Sequence, residues 1–189
     1  MMELMLGLLL FVGVHSVAIV APDWRNHMAS RLGVAWQALY SLLALAGLVL
    51  MVIGYGEARL QPTVLYSPPE WTRHLAMLLM LPVFPLLLAA YLPGRIQAAL
   101  GHPMLAAVKL WALAHLLANG TLADALLFGV LLVWAVVDRI SLERRGPRTR
   151  PMLPATRAND AIAIVGGLAL YFAFAFWLHP AWIGVAVVG

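Results

Sequence analysis

The run AWQALYSLLALAGLVLMVIGY, Ala35 to Tyr55, holds 21 residues and not one charged side chain. A helix rises 1.5 Å per residue, so about 20 apolar residues cross a hydrocarbon core roughly 30 Å thick. This run reads as a membrane-spanning helix. Working outward, five further stretches qualify or nearly do: Met2–Val20, Trp71–Leu92, Pro103–Ala118, Leu122–Val137 and Ala161–Leu178. The expected fold is an all-α integral membrane protein, a bundle of about six transmembrane helices in a lipid bilayer. Nothing marks a domain boundary or an internal repeat, so residues 1–189 read as one transmembrane domain.

Composition supports this reading. Of 189 residues, 63% are hydrophobic and 11% charged, with a mean hydropathy of +0.91. An ordinary soluble domain is nearer half apolar and a quarter charged, so a soluble enzyme is excluded. Disorder needs low hydrophobicity and high charge and is excluded too. Cysteine is absent, which removes disulfides, thiolate metal sites and cysteine nucleophiles. The six histidines, at 15, 27, 74, 102, 115 and 179, are then the side chains suited to a transition metal or haem iron.

A net charge of +4 and a pI near 10.0 would suggest nucleic acid in a soluble protein. Here the cations alternate between loops instead. Arg25, Arg31, Arg95, Arg139, Arg144, Arg145, Arg148, Arg150 and Arg157 fall on one side of the expected membrane; Arg59 and Arg73 fall on the other. Lys109 lies within the fourth span. Basic loops stay in the cytoplasm, so both termini are expected outside it. The first span opens Met-Met-Glu without a basic start or a cleavage site, and is expected to be retained.

Span ends carry capping chemistry. Ser67-Pro68-Pro69-Glu70 resembles a capping box before the third span, and His102-Pro103 opens the fourth. Asn119-Gly120-Thr121 reads as a helix stop followed by a Thr cap, with Asp124 as the cap's partner. That makes the fourth and fifth spans a tight hairpin. Asn159-Asp160 is expected to cap the sixth span, Pro82 and Pro85 to bend the third, and Glu143–Asn159 to flex.

Ionisable groups inside a membrane are costly, so each is a functional candidate. His15 interrupts the first span and His115 the fourth, where Trp111 and Ala112 precede it on the same helix face. Small residues beside a histidine and a tryptophan suit a flat macrocycle, and equally suit close helix packing. Lys109 can snorkel, pair with an acid such as Asp138, or meet an anionic ligand. Asp124 reads as a capping carboxylate only. There is no phosphate-binding glycine loop and no carboxylate pair within a span, which argues against hydrolases, proton pumps and ion-coupled carriers.

Two runs carry a resemblance. Val14-His15-Ser16 with Ala21-Pro22-Asp23-Trp24-Arg25, and His102-Pro103-Met104 with Lys109-Leu110-Trp111-Ala112-Leu113-Ala114-His115-Leu116-Leu117-Ala118-Asn119-Gly120, resemble the NnrU family of bacterial membrane proteins. The likeness continues to Asp138-Arg139-Ile140-Ser141. It implies a multi-pass bacterial inner-membrane protein with both termini periplasmic, linked by the family's name to nitrite and nitric oxide reduction, and so to denitrification reductase components as partners. It also implies kinship with plant zeta-carotene isomerase, a membrane haem b protein acting on a hydrophobic small molecule. Carried over to this chain, His15 and His115 would be the axial ligands of a bis-histidine haem b between the first and fourth spans. Trp111 would flank the haem, and Lys109 could meet a propionate. The family's cysteine after that tryptophan is Ala112 here, which removes any thiolate at the iron. Gly101 stands where the plant pattern has arginine, which weakens a shared role for the His-Pro corner.

The implied ligands differ in expected depth. His15 lies ~20 Å down its span from the outer side and His115 only ~6 Å from the outer turn, at 1.5 Å per residue. A re-entrant fourth–fifth hairpin would bring them level; otherwise His74 in the third span is the reserve ligand. Three other readings stand beside haem binding. One is a cofactor-free assembly or regulatory factor for nitrite and nitric oxide reductases. Another is a methyltransferase of the isoprenylcysteine type, which the missing Arg and Glu-Glu disfavour. The last is a channel, which the apolar spans disfavour. No nucleic-acid partner is expected.

Overall fold

The structure, a computed structural model, describes residues 1–145 and 153–187. Arg148 and Arg150, with the rest of 146–152 in the segment expected to flex, lie outside the described residues. Helices dominate, in the order α1 (Met2–Val20), α2 (Pro22–Leu32), α3 (Val34–Ala58), α4 (Trp71–Met80), α5 (Val83–Ala89), α6 (Arg95–Leu100), α7 (Pro103–Ala118), α8 (Leu122–Arg145), α9 (Arg157–Ala173) and α10 (His179–Ile183). Among the described residues the only β pairing is an isolated bridge, Val64 to Thr121. Five helical stretches are long and apolar enough to cross a membrane: Met2–Val20, Val34–Ala58, Trp71–Ala89, Leu122–Arg145 and Arg157–Ile183. Helix α7 is apolar but has 16 residues, about 24 Å of helix against a ~30 Å core.

The surface is apolar where lipid would meet it. Leu9, Leu42, Val52, Val133 and Val165 are all exposed, while small residues occupy the contacts between helices, the pattern expected where lipid tails are as apolar as leucine.

Two compact units divide the chain. The first comprises Met1–Ser67 and Asn119–Arg144. Its backbone is the antiparallel pair α1 and α3, which approach closely along glycines. A Cβ built on Gly7 would lie 2.5 Å from the Met51 nitrogen and 2.8 Å from the Gly47 oxygen. One on Gly47 would lie 2.8 Å from the Phe11 nitrogen, and one on Gly54 would run into the backbone of Glu3 and Leu4. Only hydrogen fits at these three places. Between the pair, α2 is a short surface helix with no buried residue; it starts at Pro22 and ends at Gly33, whose φ of +52° a side chain would resist. The sequence reading makes this segment a loop. Its Trp24 meets Trp36 of α3 edge-on at 5.6 Å.

The other end of the first unit is tied by a polar knot. Thr121 and Asp124 form the expected capping box: the Thr121 N–H donates to Asp124 Oδ2 at 2.9 Å, and the Asp124 N–H to Thr121 Oγ1 at 3.3 Å. Asp124 does more than cap, however. It is 4% exposed and also accepts the Tyr55 hydroxyl at 2.6 Å. The loop after α3 is pinned to the same turn, since the Leu65 and Tyr66 N–H groups donate to the Gly120 carbonyl at 2.8 and 3.1 Å. The Tyr66 hydroxyl donates to the Asn119 carbonyl at 2.7 Å. Loss of water around Tyr66, and then the Asp124 carboxylate, push that hydroxyl's pKa above its usual 10.

The second unit comprises Pro68–Ala118 and Arg145–Gly189. Val83, Leu86 and Ala107 form its buried cluster, with Leu110 and Trp111 packed against them. Of the two prolines expected to bend the third span, Pro82 separates α4 from α5, whereas Pro85 lies within α5 near its start. Gly167 of α9 lets the Pro85 backbone approach so closely that a Cβ there would overlap it. Beyond α9 the helix widens into a π-turn, Phe174–Leu178.

Three expected ends differ from the structure. Helix α4 begins at Trp71 with Glu70 as N-cap and no side-chain cap; Ser67 is separated from it by Pro68 and Pro69, and the Thr72 hydroxyl instead donates to the Pro69 carbonyl at 2.6 Å. Helix α9 is capped by Thr156, which accepts the Asn159 N–H at 3.2 Å. Asp160 is turned to a different helix: it accepts the Arg95 and Ile96 N–H groups at 2.9 and 3.1 Å and caps α6. Helix α8 runs past Val137 to Arg145, helped by an Arg139–Glu143 pair one turn apart at 2.8 Å.

Candidate histidine site

An imidazole inside a helix can return a hydrogen bond to the carbonyl one turn earlier. Both membrane histidines do so. His15 Nδ1 donates to the Phe11 carbonyl at 2.7 Å, and His115 Nδ1 to the Trp111 carbonyl at 2.8 Å. A carbonyl only accepts, so Nδ1 is the donating nitrogen in each ring. Each residue one turn earlier is aromatic, and its ring lies against the imidazole: Phe11 at 4.2 Å from His15 and Trp111 at 5.2 Å from His115. The chain thus holds one aromatic-x-x-x-His pattern twice, and only the second copy stands out in the sequence reading.

His15 belongs to the first unit and His115 to the second. Around His15 the rings come from three helices. Tyr40 of α3 meets it edge-on at 5.3 Å, and Trp134 of α8 edge-on at 5.6 Å, with planes 80° apart. The Trp134 indole nitrogen is buried and has no hydrogen-bond partner among the described residues. Sequence reasoning misses both Tyr40 and Trp134, because nothing in the spacing of three separate helices announces which residues meet. Around His115, Ala112 and Ala114 are fully buried, and Trp111 joins its ring to the Val83–Leu86–Ala107 cluster.

The remaining candidates stand apart. His74 of α4 is exposed. Lys109 is half-buried and forms no ion pair among the described residues. His27 lies on the exposed helix α2, and His179 Nδ1 donates to the Val185 carbonyl at 2.8 Å. Among the described residues no three His, Asp or Glu side chains converge as a metal-ion cluster. Two apolar hollows can be described. One of about 340 Å³ in the second unit is bounded by Leu81, Pro82, Pro85, Leu86, Ile96, Ile164 and Leu168; one of about 490 Å³ in the first is bounded by Met2, Met5, Leu6 and Leu9. Neither includes His15 or His115.

Comparison with curated proteins and comparison with solved structures return no match. Comparison with family models does: the model described as "NnrU protein" matches residues 3–187. With nearly the whole chain covered, the protein belongs to the NnrU family.

Proposed function

We propose that the protein is an integral membrane haem b protein with His15 and His115 as its candidate iron ligands. The observation that carries this reading is the shared tautomer. Histidines that ligate metals usually give their other N–H to a carbonyl or carboxylate, which fixes the ring and its basicity, and both histidines do this within their own helices. Haem iron needs only one or two protein ligands, so the lack of a three-residue cluster does not count against it. The aromatic rings around His15 suit an apolar macrocycle, and the cofactor would supply redox or ligand-exchange chemistry at iron. Trp111 would flank it and Lys109 would face its carboxylates; His74 is the reserve ligand.

The wider reading rests on the resemblance described above. In that reading the chain sits in the bacterial inner membrane with both termini periplasmic, alongside nitrite and nitric oxide reduction, with isomerase-type chemistry on a hydrophobic substrate as the form an enzymatic activity would take. In it α7 enters the bilayer as a short sixth segment, paired with α8 in a hairpin.

The test is a spectrum. Full-length protein purified from haem-replete cells should show a Soret band and, on reduction, split low-spin α and β bands. His15→Ala and His115→Ala should each abolish the low-spin spectrum. A colourless preparation refutes haem binding, and unchanged bands in both variants move the ligands elsewhere. A second reading, a cofactor-free factor that assembles or regulates reductases, is favoured by one observation: neither hollow reaches a histidine. Capture of a reductase subunit by colourless protein would support it.

A further inference from the structure

A buried N–H without an acceptor is destabilising, and native proteins keep few of them. Trp134 carries such a group, on a ring that meets His15 edge-on at 5.6 Å. Of the rings about His15, Tyr40 carries a hydroxyl oxygen and the imidazole a second nitrogen, and the indole N–H bonds to neither. The Phe11 side chain has no acceptor, the Phe11 carbonyl is engaged by His15 Nδ1, and the described contact between Trp134 and the imidazole is ring to ring. Phenylalanine would fill similar apolar space in a helix within lipid without stranding a donor.

We infer that the Trp134 indole N–H is the donor for a carboxylate of the group bound at His15. The inference rests on the haem b reading above. Haem b carries oxygen only on its two propionates, so an oxygen acceptor delivered by that cofactor is a carboxylate. A donor at this place favours one seating of an otherwise nearly symmetric disc. Trp134 is then a positioning residue: it does not touch iron but fixes how the macrocycle sits on the imidazole.

The test is Trp134→Phe in the full-length, detergent-solubilised protein, titrated with haem b and with haem b dimethyl ester, whose carboxylates are blocked. Hydrogen bonds to charged groups contribute about 1.5–3 kcal/mol, a factor of ten or more in affinity. The variant should bind haem b about tenfold more weakly than the parent and bind the dimethyl ester equally well. The ligand-free Tm should stay the same or rise, because a stranded donor has been removed. In the parent loaded with diamagnetic gallium protoporphyrin, the Trp134 indole N–H resonance should move downfield. Unchanged haem affinity would overturn the inference, and a lower ligand-free Tm beside it would show that the donor serves a protein group or a resident water. A rise in affinity would also overturn it, showing that the indole competes for His15 Nε2. Failure of the haem reading is distinguishable, since the parent protein itself would then bind no haem.

Discussion

Gly7 and Gly13 lie on one helix, and one added methyl group should act oppositely at the two. At Gly7 a Cβ would stand 2.5 Å from Met51 N, 2.8 Å from Gly47 O and 2.9 Å from Leu50 C. All three are backbone atoms, which cannot swing aside. Carbon contacts are comfortable near 3.5–4.0 Å, so α1 has to withdraw from α3 by about 1 Å. A gap of that size forfeits a quarter to a half of each dispersion contact it opens, and packing of this kind is what holds helices together in lipid. Overpacking typically costs 1–3 kcal/mol, and with so rigid an obstacle Gly7→Ala should lose about 2–3 kcal/mol. At Gly13 a Cβ would meet nothing within 4 Å. Gly13→Ala should gain about 0.5–1 kcal/mol from helix propensity. Denaturation in sodium dodecyl sulfate, followed by tryptophan fluorescence, reads both. Equal midpoints for the two variants would refute the close-approach argument.

Other outcomes follow from the polar contacts. Asp124→Ala strands the Tyr55 hydroxyl and the Thr121 N–H, and should lose about 2–5 kcal/mol in the same denaturation; Asp124→Asn, which keeps an acceptor oxygen, should lose clearly less. Asp160→Ala uncaps α6, so hydrogen exchange over 95–100 should accelerate while α3 is unaffected. The Tyr66 hydroxyl, with its pKa raised in the folded protein, contributes stability that is fully present below its unfolded pKa near 10 and is lost as pH rises through the folded value. Tyr66→Phe should therefore flatten the alkaline fall in stability, read as Tm against pH from 9 to 12. A parallel fall in both proteins would place that loss elsewhere.

The spans are legible because hydrophobicity over 20 residues is a strong, local signal: α1 and α7 have the boundaries expected from sequence. The Thr121–Asp124 cap is legible for the same reason, since its partners are three residues apart. Helix α2 escapes a hydrophobicity reading because its residues are polar, although Pro22 at its start and Gly33 at its end are ordinary helix punctuation. Asp160 reads as a cap of its own helix because sequence shows the nearest N-terminus, whereas the amides it caps lie more than sixty residues away. The glycines at 7, 47 and 54 carry a usable signal, two of them seven residues apart on one helix, yet their partners come from another helix. Of the candidate site, the histidines can be named from sequence, and their tautomers and the Trp134 contact cannot, because these depend on ring orientation.

The interleaving of the two units has a consequence for synthesis. The α1–α3 pair is complete once residue 58 has emerged, but the loop it leads to finds its partners only when 119–124 arrive, after the whole of 68–118 has been made. At roughly 5–20 residues per second the delay is about 3–10 s. Through that interval Tyr55 waits without its carboxylate, and α6 then waits a comparable time for Asp160. These contacts therefore close late, each when an aspartate reaches a hydroxyl or amides made more than sixty residues earlier.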